Sequence, residues 1–404
     1  MRTWPSVIRE VHPMHQQLRS FYRHLLQGLT LGLSAVGLFS SAARSHHDDV
    51  PDPPPQSSSN HLAALPNLVP TEITVSGISS GGFFAHQFHV AYSKLVNGAG
   101  IIAGGPFACV ENVPNPYYVF WTVPLDRVSA ATVACTHYFG SSYFGLRPST
   151  PRAESSLEAI RQARRRRAID DPANLADDRV WLFHGEHDEI VPEPVARSLE
   201  EVYRALGVLD LQADWNDHGR AASHGMPVER FTGQSKFPTR ECEEHEPPFI
   251  IQCGFDATRS LLQHLYPENF NGPSTDPHRD GTLMAFDQSE FFTTTQEAIS
   301  LHRVGYIYVP HTCAAEPCRL HVAFHGCKQD MESVHDDFIR DAGYNQWAAS
   351  NSIVVLYPQA TGSAANPNRC WDFWGYSGSG YFGKDGPQMR AVKSMVDRLL
   401  GPGP

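Results

Sequence analysis

The chain has 404 residues, of which 41% are hydrophobic, so it holds ample material for a core, and α/β enzymes of this length often fold as one domain. Its formal net charge of -11 argues against nucleic acid or an anionic membrane as the main partner, while neutral polymers and small esters remain compatible with it.

Residues 1–43 read as an export signal. Arg9, Arg19 and Arg23 precede the apolar run from Leu29 to Phe39, and Ser40, Ser41, Ala42 and Ala43 supply small residues for cleavage. The alternative is an uncleaved anchor, but the apolar run is short for a membrane span. Residues 44–66 are a Pro/Ser-rich linker without core-forming periodicity, and His46 and His47 within it are an exposed pair rather than a metal site. Residues 67–404 are expected to form a single catalytic domain.

That domain opens on Thr74-Val75-Ser76-Gly77-Ile78-Ser79-Ser80-Gly81-Gly82. A β-branched run, then Gly-x-Ser-x-Gly, then an apolar-periodic segment from Phe83 to Leu95 is the pattern of a nucleophile elbow between a strand and a helix. Ser79 is the candidate nucleophile and the Ser80 N–H a candidate oxyanion donor. Further along, Ile101-Ile102-Ala103 reads as a short buried strand and 154–168 as a helix, with Arg164 to Arg167 on its solvated face. Arg179 to Gly185 reads as a buried strand, 193–206 as a helix and Leu211 to Trp215 as another strand. The stretch 267–284 reads as a surface excursion. Val304 to Val309, Arg319 to Phe324 and Ile353 to Tyr357 read as strands, Val334 to Ala349 as a helix, and Gln388 to Leu400 as a closing amphipathic helix. Short apolar strands alternating with helices imply an α/β fold with a mostly parallel central sheet covered on both faces.

A serine hydroxyl needs an adjacent base that is itself oriented by a carboxylate, and in α/β-hydrolases acid and histidine follow the serine in that order. Asp188 lies just beyond the Val180–Phe183 strand, where ligand chemistry in open parallel sheets gathers. Among 21 histidines, position favours His224, in a small-residue loop after the next strand, over His218 and His187. The second oxyanion donor is expected at Cys327 or a neighbour, because Leu320 to Phe324 runs into His325-Gly326 as the corresponding strand does in lipases and esterases. That strand normally precedes the elbow, and here it follows the histidine, so the sheet is expected to be a circular permutation of the usual hydrolase order. Trp371, Phe373, Trp374 and Tyr376, just after a strand, can line an ester-binding groove or pack as core.

Eight cysteines accord with an oxidising compartment, and their spacing suggests the pairs Cys109 with Cys135, Cys242 with Cys253, Cys313 with Cys318, and Cys327 with Cys370. A zinc site at Cys313-x4-Cys318 is the competing reading, and it finds no histidine or second cysteine pair at ligand spacing close by.

From about 68 to 400 the chain resembles the extracellular and periplasmic short-chain polyhydroxyalkanoate (polyhydroxybutyrate) depolymerases with a circularly permuted α/β-hydrolase domain. The resemblance rests on Val75 to Gly82, His89 to Ser93, Gly98 to Pro106, Asp170 to Ala176, Cys318 to Gln329, Ala342 to Ala348 and Cys370 to Tyr376, in that order. It implies a Ser79–Asp188–His224 triad, an oxyanion hole from the Ser80 and Cys327 N–H groups, and metal- and cofactor-free hydrolysis of poly(3-hydroxybutyrate) esters. It also implies a secreted protein, extracellular or periplasmic, with a polyester or oligoester substrate and no stable membrane insertion after signal cleavage. Two departures are visible. No separate polymer-binding domain is expected within 67–404, and Phe373 stands where relatives often carry tryptophan. Rival readings are a feruloyl or acetyl-xylan esterase and a non-catalytic polymer-binding protein; oligomeric state is not legible.

Overall fold

The computed structural model describes residues 61–112, 118–119, 123–124, 131, 135–136, 151–215, 221–230 and 235–401. The described residues all belong to one compact unit within 58–404. The expected export signal and His46, His47 and His218 lie outside the described residues.

Eight strands form one sheet: β1 (Leu68–Ile78), β2 (Gly98–Ile102), β3 (Arg179–Phe183), β4 (Asp210–Asp214), β5 (Gly281–Asp287), β6 (Val304–Pro310), β7 (Cys318–Phe324) and β8 (Ile353–Tyr357). Their spatial order is β5-β6-β8-β7-β1-β2-β3-β4. From β8 to β4 every pairing is parallel, whereas β6 runs antiparallel to both β5 and β8. This is the mostly parallel α/β sheet that the sequence implied. The elbow strand β1 pairs directly with β7, which lies at the far end of the chain, through Val75 with Val322 and Gly77 with Phe324. The permuted order expected from the histidine-glycine strand is therefore present.

Strand residues alternate between two cores, as a pleated strand requires. Val180 and Leu182 of β3, and Val354 and Leu356 of β8, point to one side. Trp181 and Phe183, and Ile353, Val355 and Tyr357, point to the other. The first side is covered by α1 (Ser80–Ala91), α2 (Ala153–Arg165), α3 (Glu193–Ala205) and α6 (Pro387–Leu400), which contribute Phe84, Ile160, Leu199 and Val392. The second is covered by α4 (Ala257–Leu265) and α5 (Tyr344–Ser350), with Leu261 and Trp347.

Two local expectations are corrected, and two features stand beyond the expected elements. The excursion 267–284 ends in a strand, since β5 begins at Gly281 and pairs with β6 over seven residues. The helix expected over Val334 to Ala349 is three short ones, Met331–Val334, Asp337–Asp341 and α5, interrupted where His335 (φ 56°) and Gly343 (φ 90°) take left-handed backbone, a conformation no helix continues through. Helix α4, with Asp256 as its N-cap and Ala257, Leu261, Leu262 and Leu265 at helical spacing, is not among the expected elements, and the strands of a small sheet, Met226–Val228, Ile250–Gln252 and Arg240–Glu241, are too short to show a period.

All four expected disulfides are present, and among the described residues no cysteine is free. Cys313 is thus bonded to Cys318, and the zinc alternative there falls away.

A buried polar ladder ties β1 to β7. His321 lies between the Thr74 hydroxyl at 2.7 Å and the Ser76 hydroxyl at 2.7 Å, and Ser76 also meets the Tyr344 hydroxyl. Full burial lowers the His321 pKa from 6.5 to about 3, because the interior disfavours the charged ring.

Between pH 6.5 and about 3 the unfolded chain accepts a proton that native His321 refuses, so stability falls on acidification. This one group contributes a slope of about 1.4 kcal/mol per pH unit, and His321→Gln, measured by urea unfolding across that range, should flatten the profile by that amount. Replacing Cys327 and Cys370 together by alanine opens a loop of 43 residues and should lower stability by about 4 kcal/mol by loop-closure entropy, read as an earlier denaturation midpoint.

Candidate active site

The turn after β1 sets the geometry. Ser79 has φ 56° and ψ -125°, a conformation costly for a side-chain-bearing residue and typical of functional turns. It is held by its N–H donating to Ile102 O at 3.0 Å and by its carbonyl accepting from Phe83 N–H at 3.0 Å. The two motif glycines are demanded by packing. A Cβ on Gly77 would lie 2.3 Å from the Gly81 carbonyl, and one on Gly81 would lie 2.3 Å from Phe324 O, at the end of β7. The elbow therefore bears directly on the strand that leads to Cys327.

Asp188 and His224 come together in the way their order suggested. Asp188 sits in the loop after β3, and its Oδ2 accepts from His224 Nδ1 at 2.8 Å. Its Oδ1 accepts from the N–H groups of Ile190 and Val191, each at 2.9 Å. Burial pushes the Asp188 carboxyl up, but the opposing pull of His224, His184 and the Val191 N–H holds it below the ordinary carboxylate range. The Nδ1 bond leaves Nε2 as the ring nitrogen free to serve a hydroxyl. The histidine loop is stitched to the acid loop by His187 N–H donating to Ala222 O at 3.0 Å. It is fastened on its other side by His245 Nδ1, which donates to His224 O at 2.7 Å, and by Ser223 N–H, which donates to Cys242 O at 2.9 Å.

The turn after β7 presents three successive backbone N–H groups. That of Gly326 donates to the Gln329 side-chain oxygen at 2.8 Å, and that of Lys328 donates to Asn368 O at 2.9 Å. Among the described residues the Cys327 N–H has no such partner. A Cβ on Gly326 would come within 3.3 Å of Ser79 Cβ, so this turn stands beside the elbow. The Ser80 N–H, first in α1, has no carbonyl a turn behind it to bond.

A mostly apolar cavity of about 420 Å³ receives these groups: Ser79, Ser80, His224, Cys327, Phe373 and Trp374 all line it. Asp188 lies behind His224. Trp371 and Tyr376, expected beside Phe373 and Trp374, do not line it. The Trp371 ring packs against Phe84 and Phe324 in the core, and the Tyr376 hydroxyl donates to Cys370 O at 2.8 Å. The reason is the coil of this segment around Asp372, whose carboxylate accepts from the N–H groups of Trp374, Gly375, Tyr376 and Ser377, so consecutive aromatics face different ways. His187 lines a separate, more polar hollow behind His224, with Glu186, Glu189 and Glu243. Sequence reasoning missed His245, Phe249 and Gln329, which also line the main cavity; no local pattern marks them, because loops far apart in the chain bring them there. Among the described residues no cluster of potential metal ligands occurs.

A profile described as esterase PHB depolymerase matches residues 304–401. A poly(3-hydroxybutyrate) depolymerase of Delftia acidovorans is 38% identical over 334 residues, covering 81% of this chain and 60% of the relative. The chain thus spans less than two thirds of that protein's length. A polyhydroxybutyrate depolymerase of Talaromyces funiculosus is 32% identical over 356 residues, covering 83% of this chain and 92% of the relative. The chain belongs to the polyhydroxybutyrate depolymerase family. The crystal structure of the PHB depolymerase from Penicillium funiculosum, 28% identical, superposes with a TM-score of 0.67 and covers 84% of this chain and 99% of its own. A serine-to-alanine variant of a PHB depolymerase, complexed with an R3HB trimer, matches with the same TM-score of 0.67 and the same coverage.

Because the Gly81 Cα abuts the β7 carbonyl, Gly81→Ala should force the elbow and the Cys327 turn apart. Esterase activity on a short p-nitrophenyl ester should drop at least tenfold, with a melting temperature several degrees lower.

Proposed function

We propose that this protein is a secreted serine esterase that hydrolyses poly(3-hydroxybutyrate)-type polyesters and their oligomers through an acyl-enzyme. The observation that carries this reading is the single cavity in which a strained Ser79, the Asp188-bonded His224 and the Cys327 N–H converge. His224 Nε2 takes the Ser79 proton as the hydroxyl attacks the ester carbonyl. The N–H groups of Ser80 and Cys327 stabilise the oxyanion, a contribution that typically reaches 10²–10³-fold per donor. Collapse of the tetrahedral intermediate breaks the ester C–O bond, and the His224 proton passes to the departing alkoxide. Water, deprotonated by His224, then attacks the acyl-Ser79 and frees the carboxylic acid. Asp188 stays ionised throughout and steadies the imidazolium.

Two features support a polyester substrate. The cavity wall is mostly apolar, with Phe83, Phe249, Phe373 and Trp374 against it, which suits methyl-bearing ester units and offers no dense array of donors for a sugar. The family relatives named for poly(3-hydroxybutyrate) and the R3HB trimer held by one of them point the same way. Export from the reducing cytoplasm is supported by four disulfides in one domain; the sequence signal over residues 1–43, the linker over 44–66 and a single catalytic domain over 67–404 complete the proposed organisation.

Wild-type protein should clear a turbid poly(3-hydroxybutyrate) suspension and release soluble hydroxyacids, and Ser79→Ala should not. Asp188→Asn should keep the fold and lower kcat by about 10⁴-fold through the wrong His224 tautomer. A wild type that turns over p-nitrophenyl butyrate without ever clearing the polymer sinks the substrate assignment and leaves the mechanism standing.

A further inference from the structure

The residue before the oxyanion turn has no part in the mechanism above, yet its contacts determine where that turn points. His325 is fully buried, with its ring packed near Trp371 and Phe338. Its Nε2 accepts from the Ala360 N–H at 3.1 Å, just beyond the end of β8, and its Nδ1 is 2.7 Å from Gly326 O. An N–H facing Nε2 requires a lone pair there, and a carbonyl facing Nδ1 requires a proton, so the two partners assign the Nδ1–H tautomer. The same Gly326 carbonyl also accepts from the Gln329 N–H at 3.2 Å. Both of its lone pairs are thereby engaged.

This matters because a peptide unit is planar and trans, so C=O and the following N–H point in opposite directions. Fixing the Gly326 carbonyl from the interior fixes the Cys327 N–H to the opposite side, toward the neighbourhood of Ser79. We propose that His325 is a positioning residue for the oxyanion hole: as the Nδ1–H tautomer it clamps the Gly326–Cys327 amide, and so aims the Cys327 N–H at the developing oxyanion. Burial lowers the ring's pKa, with the Asp330 charge and the Gly326 bond acting the other way, which keeps Nε2 available to Ala360. Gln329 completes the clamp, since its side-chain oxygen takes the Gly326 N–H while its amide donates to Pro248 O and to the O of Phe249, a residue of the cavity wall.

The inference rests on the ester-hydrolase reading, and its test separates the two. With p-nitrophenyl butyrate, His325→Leu should lower kcat by about 10–100-fold, part of what complete loss of a donor costs, and leave KM within about twofold. Affinity for a butyl boronic acid, whose tetrahedral adduct on serine occupies the oxyanion hole, should weaken by a similar factor. His325→Asn, whose amide nitrogen can occupy the Nδ1 position, should recover most of both. In parallel, ¹⁵N NMR of the wild type should show His325 protonated at Nδ1 and bare at Nε2; this readout does not depend on any variant folding. A His325 ring protonated at Nε2 overturns the proposal, as does a folded His325→Leu variant with unchanged kcat or with lowered kcat and unchanged boronate affinity. An inactive wild type overturns the hydrolase reading and this inference together, whereas an active wild type with any of the preceding results overturns the positioning role alone.

Discussion

The pairing of β1 with β7 is the contact on which the site depends. Register places Gly77 opposite Phe324, so the elbow and the Cys327 turn leave the sheet at the same level, on neighbouring strands. The pairing is fixed from inside by the His321 ladder to Thr74 and Ser76 and at its end by the bare Cα of Gly81 lying on the Phe324 carbonyl. A slip of one residue would turn every side chain of β1 to the other face. It would turn Thr74 and Ser76 away from His321 and carry Ser79 away from Cys327.

The remaining components reach this junction from both directions along the sheet. On one side, β2 anchors the Ser79 N–H, and β3 supplies the loop that carries Asp188. On the other, β8 delivers Ala360 to His325 and, beyond it, the aromatic segment that Cys370 ties to Cys327. A disulfide therefore fastens the cavity wall that holds Phe373 and Trp374 to the turn that holds the candidate oxyanion donor. Burial sharpens the electrostatics as well. Asp188 is kept ionised by specific partners despite its burial, while His321 is kept neutral by burial itself, its two ring nitrogens meeting only hydroxyl groups.

The parts that were legible in sequence are those with short-range physical signatures. Gly77 and Gly81 around Ser79 mark a turn too tight for side chains, and the apolar runs at 179–183, 318–324 and 353–357 mark buried strands. The order of Ser79, Asp188 and His224 carried enough information to select one histidine among many, and the four disulfides followed from sequence proximity. The aromatic block was less legible. Its residues alternate between core and cavity because of the coil around the Asp372 carboxylate, which has no period to detect. Strand β5 was hidden because it lies partly exposed at the edge of the sheet, and its apolar run from Leu283 to Phe286 directly follows the polar stretch that reads as a surface excursion.

Sequence alone determined the chemistry available and the chain order of its carriers, since a strand, a tight glycine turn and a helix are set by local sterics and periodicity. Tertiary structure alone decided which of three consecutive N–H groups is left free at the Cys327 turn, which aromatics face the cavity and which ring tautomer His325 adopts. Near neighbours such as Asp372 and Gln329 contribute to these outcomes, but each also draws on a partner some 30 to 290 residues away, among them Ala360, Asn368 and Phe84, and no local preference along the chain encodes where such a partner will arrive.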